Sequence, residues 1–227
     1  MKLLLVSFNQ QDVEECKRAP TDISSLGLRY LSSYLKNKGH EVNLLFLPKR
    51  YGQEETRNEL KQINGFISSL KPDLIGLSLM SSHFFRAKKV TSSIKKVFNI
   101  PVIWGGIHPT IEPVDSLAYA DLVCVGEGEL AMEKLLEKAI PKNGDDFDIP
   151  GIWYKKNGQI INKEKAPLLG SLDNAPFPDY DLEDQSIIHD GKLAPLDVEI
   201  FRQYYPASRG DHRIISSRGC PHACSYC

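Results

Sequence analysis

The sequence carries almost no excess charge: 28 basic residues stand against 29 acidic ones, for a formal net charge of −1. It therefore lacks the basic surface by which proteins grip phosphate backbones, which argues against a nucleic-acid partner. Long apolar runs are missing too. The opening Leu3-Leu4-Leu5-Val6 follows a single lysine and gives way at once to polar residues, too short for a signal peptide or a membrane span. Cysteine is sparse and uneven, because of five in all, Cys16 and Cys124 stand alone while Cys220, Cys224 and Cys227 crowd the last eight residues. An odd number so placed is no disulfide framework. A cytoplasmic location is expected, where thiols stay reduced, and there a close trio points to a metal site. Internal repeats and low-complexity tracts are also absent.

What is present is the composition of an ordinary globular protein, 41% apolar and 25% charged over 227 residues. That length holds one full domain and part of a second. The chain stops on Cys227, inside the cysteine cluster, whereas domain boundaries normally fall in exposed linkers; a fragment of a longer protein is expected.

Apolar runs of strand length alternate with segments of helical period, the pattern of an α/β fold with a parallel sheet. The runs are Lys2 to Phe8, Val42 to Leu47, Leu74 to Leu79, Pro101 to Trp104 and Leu122 to Val125. Between them Leu28, Leu31 and Leu35 share one helical face ending at Gly39, and Leu60, Ile63, Phe66, Ile67 and Leu70 share another ending at Pro72. Further helices are expected over Phe84 to Phe98, after Pro113, and over Leu130 to Ala139. The result is a doubly wound, five-stranded parallel sheet of Rossmann-like or flavodoxin-like type over residues 1–142. Residues 143–210 read as a linker with a β-hairpin, in which Lys155-Lys156-Asn157-Gly158 separates Ile152-Trp153-Tyr154 from Ile160-Ile161. A short strand from Arg213 to Ser216 opens a third region, 211–227.

Open parallel sheets bind ligands beyond the carboxyl ends of their strands. Small residues gather there: Ser78, Ser81 and Ser82 after the third strand, Gly105, Gly106 and His108 after the fourth, Gly126, Glu127, Gly128 and Glu129 after the fifth. Glycines admit a ligand close to the backbone and hydroxyls offer hydrogen bonds without bulk, so a large flat ligand suits this edge. Plainer roles stand beside these: a tight turn for Gly105-Gly106, a helix N-terminus for the two glutamates, a local hydrogen bond for His108, a core position for Cys124. A nicotinamide dinucleotide is disfavoured, because the first βα turn, Asn9-Gln10-Gln11-Asp12, holds no G-x-G-x-x-G.

The most specific feature is Arg218-Gly219-Cys220-Pro221-His222-Ala223-Cys224-Ser225-Tyr226-Cys227, with thiols spaced C-x3-C-x2-C. Three thiolates on one short loop wrap one compact centre: an iron–sulfur cluster with one iron left open, or zinc with His222 as fourth ligand.

With an aromatic before its last cysteine, this loop resembles the signature of the radical-SAM superfamily. Ser24-Ser25-Leu26-Gly27-Leu28-Arg29-Tyr30-Leu31, Gly105-Gly106-Ile107-His108-Pro109 and Val125-Gly126-Glu127-Gly128-Glu129 are similar to the N-terminal region of its cobalamin-binding branch. The resemblance implies a [4Fe–4S] cluster on Cys220, Cys224 and Cys227, S-adenosylmethionine chelated by the fourth iron with Tyr226 against its adenine, and a 5′-deoxyadenosyl radical. It also implies cobalamin at the strand ends, with Ser78, Ser81, Gly105, Gly106, His108, Gly126 and Glu127 as contacts. A small-molecule substrate, an electron donor such as flavodoxin or ferredoxin, and methyl transfer to an unactivated centre follow, with radical cyclisation or rearrangement, or a non-catalytic module with a structural zinc, as alternatives. Residues 1–227 alone are expected to be inactive. One departure is plain: the histidine of D-x-H-x-x-G, which ligates cobalt in some cobalamin proteins, has no counterpart in Asp12-Val13-Glu14-Glu15-Cys16-Lys17.

Overall fold

A computed structural model describes residues 1–11, 23, 25–50, 52–138, 148–204, 213–218 and 222. Five parallel strands form its centre: β1 (Lys2–Gln11), β2 (Glu41–Arg50), β3 (Leu74–Ser78), β4 (Val102–Gly105) and β5 (Leu122–Cys124). Helices α1 (Leu26–Asn37), α2 (Arg57–Leu70), α3 (Phe84–Lys95) and α6 (Glu129–Glu137) fall where the apolar periodicity puts them. The turn after β4 is itself helical, as α4 (Ile107–Ile111) and then α5 (Pro113–Ser116), where the fixed φ of Pro113 suits the first helical position.

The sheet is larger than the five strands expected. Its order is β7-β6-β5-β4-β3-β1-β2-β8-β9, with an antiparallel hairpin on either edge. β6 (Ile152–Lys156) and β7 (Gln159–Ile161) form the expected hairpin, turning through Asn157 and Gly158, both with positive φ, and β6 adds to β5. A second hairpin, β8 (Gln185–His189) and β9 (Lys192–Pro195), turns through Asp190 and Gly191 in the same way, and β8 adds parallel to β2. Much of the segment expected as a linker thus lies in the same sheet. Helix α7 (Val198–Tyr204) follows; Arg213 to Ser216, expected as a strand, has no regular secondary structure.

Alternation along the strands divides the core in two. Leu4, Val6, Ile75, Leu77, Val102, Trp104 and Val123 face α2 and α3; Leu3, Leu5, Leu74, Ile103, Leu122 and Cys124 face the side of α1 and α6. Among the described residues no helix is long and apolar enough to cross a membrane.

Candidate functional site

On the α1/α6 face, the side chains shrink towards the carboxyl ends of the strands. Along β3 the residues in step with Leu74 are Gly76 and Ser78, and along β4 Ile103 is followed two positions on by Gly105. The space released is a cavity of about 570 Å³, within the range of small-molecule and cofactor sites. Leu5, Gly76, Ile103 and Cys124 form its floor, Leu28 and Leu31 of α1 one wall, and Glu129 and Met132 of α6 the other. Ser78, Gly105, Gly106, Gly126 and Glu127, five of the seven expected contacts, line it together.

The other two expected contacts do not. Ser81 and His108 turn to each other, with Ser81 Oγ 3.2 Å from His108 Nδ1, and the His108 ring packs 4.9 Å from Phe84. On that same far side the His83 imidazole is pushed down to about 4, first by burial and then by the Arg86 guanidinium.

The rim is built by backbone necessity as well as by chemistry. Gly106 adopts φ 97° and ψ −164°, a region essentially closed to residues with a Cβ, and a Cβ there would sit 2.9 Å from the Leu79 carbonyl oxygen. Thr110 donates from Oγ1 to the Gly106 carbonyl at 2.8 Å and accepts from the Gly126 N–H at 3.0 Å, tying the turn after β4 to the turn after β5. Gly105 is different: its backbone is ordinary, and a Cβ would meet only Cys124 Cβ at 3.7 Å. Cys124 is buried, and burial followed by the nearby Glu129 and Glu127 charges pushes its thiol up to about 12. It is therefore a neutral, protonated wall at physiological pH.

The last wall comes from far along the sequence. Ile215, Ser217 and Arg218 line the cavity, held by a strap that covers residues 213–218. Two tyrosine hydroxyls take the place of a strand ladder. Tyr180 Oη donates to the Arg213 carbonyl at 3.0 Å and accepts from its N–H at 3.2 Å; Tyr30 Oη does the same for Ile215, at 3.3 Å and 3.0 Å. Arg218 then donates to Glu127 and to Glu129, each at 2.6 Å.

Several contacts escaped the sequence reading. Gly76 carries no motif, although its place two residues after Leu74 on a buried strand marks it as a missing side chain. Thr110 bears no motif, and although Tyr30 and Arg218 fall in the quoted segments and Arg213 to Ser216 in an expected strand, their contacts with one another and with Glu127 and Glu129 join residues far apart in the chain. Cys220, Cys224, Cys227 and Tyr226 lie outside the described residues, and His222 is exposed. Among the described residues, no three histidine, cysteine, aspartate or glutamate side chains gather as metal ligands.

A parallel sheet in the order 2-1-3-4-5, with a cavity at its carboxyl edge beside the β1/β3 switch point, defines a ligand-binding domain of the flavodoxin-like class. The family profile described as the B12 binding domain matches residues 16–136, and the chain belongs to that family. It is 29% identical over 206 residues to the uncharacterized methyltransferase PH0819 of Pyrococcus horikoshii, covering 89% of this chain and 40% of that protein. It is likewise 29% identical over 162 residues to the cobalamin-dependent radical SAM methyltransferase TokK of Streptomyces tokunonensis, covering 70% of this chain and 22% of that one. The chain thus spans well under half the length of these relatives. Among solved structures, the cobalamin-dependent S-adenosylmethionine radical enzyme OxsB has a similar fold, with a TM-score of 0.60 at 20% identity over 89% of this chain and 30% of that one.

Proposed function

We propose that the chain binds a corrinoid in this cavity and carries, on Cys220, Cys224 and Cys227, the [4Fe–4S] cluster of a radical-SAM enzyme that transfers a methyl group to an unactivated centre of a small molecule. The observation that carries the reading is the strap: the backbone that walls the cavity at Ser217 and Arg218 is the same backbone that enters the thiol loop at Gly219. The family membership and the character of the relatives support it. The donor set also suits it. Glycine at 27, 105 and 126 exposes backbone to a bulky ligand, while Leu5, Leu28, Leu31, Ile103 and Met132 exclude water from whatever enters. Ser78 offers a hydroxyl.

A corrinoid would supply one-carbon transfer, and a cluster with S-adenosylmethionine would supply one-electron chemistry. The chain's own contribution is position and dryness. No histidine is among the described residues that line the cavity, and burial keeps Cys124 protonated, so neither an imidazole nor a thiolate would be offered there to a corrinoid. That agrees with the missing D-x-H-x-x-G. Tyr226 is the residue we assign to the adenine of S-adenosylmethionine.

Two loadings test the reading. Residues 1–227 mixed with hydroxocobalamin and passed through gel filtration are expected to retain close to one equivalent by visible absorption; no retained corrinoid would remove cobalamin from the proposal. Anaerobic treatment with iron and sulfide is expected to give a brown protein with about four irons per chain, lost in Cys224→Ala. A colourless protein with one zinc would instead establish a structural metal site.

A further inference from the structure

The stretch that follows the first hairpin is pinned beside the end of β5. Trp153 Nε1 donates to the Lys163 carbonyl at 2.9 Å, and the Gly151 N–H donates to the Glu164 carbonyl at 2.6 Å. Ala166 is buried against Gly151, whose own carbonyl accepts from the Val125 N–H at 2.7 Å. Lys165 stands between these anchors. Its side chain lies along Gly126, where an added Cβ would meet the lysine Cβ, Cγ and Cδ at 3.7–3.9 Å. Gly126 lines the cavity with a φ of 92°, so the stem fills a notch that a glycine leaves and carries the ammonium, two bonds beyond Cδ, along the cavity's rim. An ordinary solvated lysine has neither the pinned backbone nor the packed stem.

The other described charges of the rim are engaged with one another. Arg218 donates to both Glu127 and Glu129, which leaves that group with a net negative charge. Among the described residues no carboxylate lies within ion-pair distance of the Lys165 ammonium. Without Lys165 the rim would repel an anion; with it, the rim is balanced and has a donor group free. The ring amides of a corrinoid are neutral, and the phosphodiester of its nucleotide loop is the fixed negative charge it carries. An ammonium suits such a group as a point charge with three donors. We infer that Lys165 receives this phosphodiester at the rim, so that the site prefers a corrinoid with its nucleotide loop to one without. The inference rests on the corrinoid reading and adds a selectivity to it. Because Lys165 is exposed, its pull is screened, and its share of the preference is expected to be about three- to fivefold.

The test titrates residues 1–227 with hydroxocobalamin and with aquohydroxocobinamide, which has the same ring and no nucleotide loop, and reads both affinities by equilibrium dialysis. In the unaltered protein cobalamin is expected to bind more tightly, with an advantage that shrinks as potassium chloride rises from about 20 mM to about 0.5 M. Lys165→Met should weaken cobalamin about three- to fivefold, remove most of that salt dependence and leave the cobinamide affinity where it was. Lys165→Arg should restore the preference. Lys61→Met makes the same loss of charge at an exposed position of α2, across the sheet, and should move neither affinity. An unchanged ratio of the two affinities in Lys165→Met, or an equal loss for both corrinoids, overturns the inference, as does a matching loss in Lys61→Met. So does a cobalamin advantage that is absent from the unaltered protein or insensitive to salt, a result that depends on no variant. Binding of neither corrinoid by the unaltered protein overturns the proposed function itself.

Discussion

Gly105 and Gly106 are neighbours with opposite requirements. Gly106 is glycine because of its backbone: Gly106→Ala forces a strained φ and drives a Cβ against the Leu79 carbonyl, so a loss of about 1–3 kcal/mol is expected by urea denaturation. Gly105 is glycine because of the space beside it. Gly105→Leu keeps an allowed backbone at the end of β4, so its melting temperature should stay close to that of the parent while hydroxocobalamin binding falls at least tenfold by absorbance titration. A sequence motif treats the pair as one signal. Only φ and the neighbouring atoms separate a turn-maker from a cavity-maker, just as they turn His108, two residues beyond Gly106, away towards Ser81.

At the scale of elements, the β1–β5 pattern was legible because each strand is a short apolar run bounded by a helical period, and the Asn157-Gly158 hairpin because its turn chemistry is local. The second hairpin carries a comparable signal, Asp190-Gly191 between Ile187-Ile188 and Leu193, obscured by the prolines and aspartates that precede it. Asp173, Asp181 and Asp184 of that segment are exposed, but one aspartate is not. Asp179 is buried, accepting from Ser32 Oγ at 2.6 Å and lying 2.9 Å from Lys36 Nζ, both on α1. Arg29, fully buried on the same helix, donates to the Asp179 carbonyl at 2.6 Å and to Gln185 Oε1 at 2.9 Å, with the rings of Phe46, Tyr180 and Phe201 about it. Nothing near Arg29 in sequence announces these partners. Arg29→Met should cost about 3 kcal/mol in chemical denaturation, since hydrogen bonds to a charged group contribute about 1.5–3 kcal/mol each. Lys36→Met, which takes the half-buried ammonium from the buried Asp179 carboxylate but leaves the hydrogen bond from Ser32, should cost about 1–3 kcal/mol.

For the whole molecule, the sheet decides where the chain can be cut. Ending it at residue 142 removes β6 from β5 and β8 from β2, baring both edges of the parallel sheet. It also strips Ile149, Ile152, Tyr154, Ile187 and Leu196 from the core on the α1/α6 face. Residues 1–142 should therefore aggregate on gel filtration, whereas residues 1–204 elute as a monomer with an intact circular dichroism spectrum. A monomeric, cooperatively unfolding 1–142 would show that β1–β5 are self-sufficient.

The two tyrosine clips have a consequence in time. Contacts distant in sequence form late, because closing a long loop costs entropy before it yields any contact. Tyr180 can hold Arg213 only after its own segment has docked, and that docking joins Arg29 to Gln185 across 156 residues. The strap is thus the last wall raised around the cavity. As the chain leaves the ribosome, that side of the chamber stays unwalled until residues 213–218 have emerged and found the two hydroxyls.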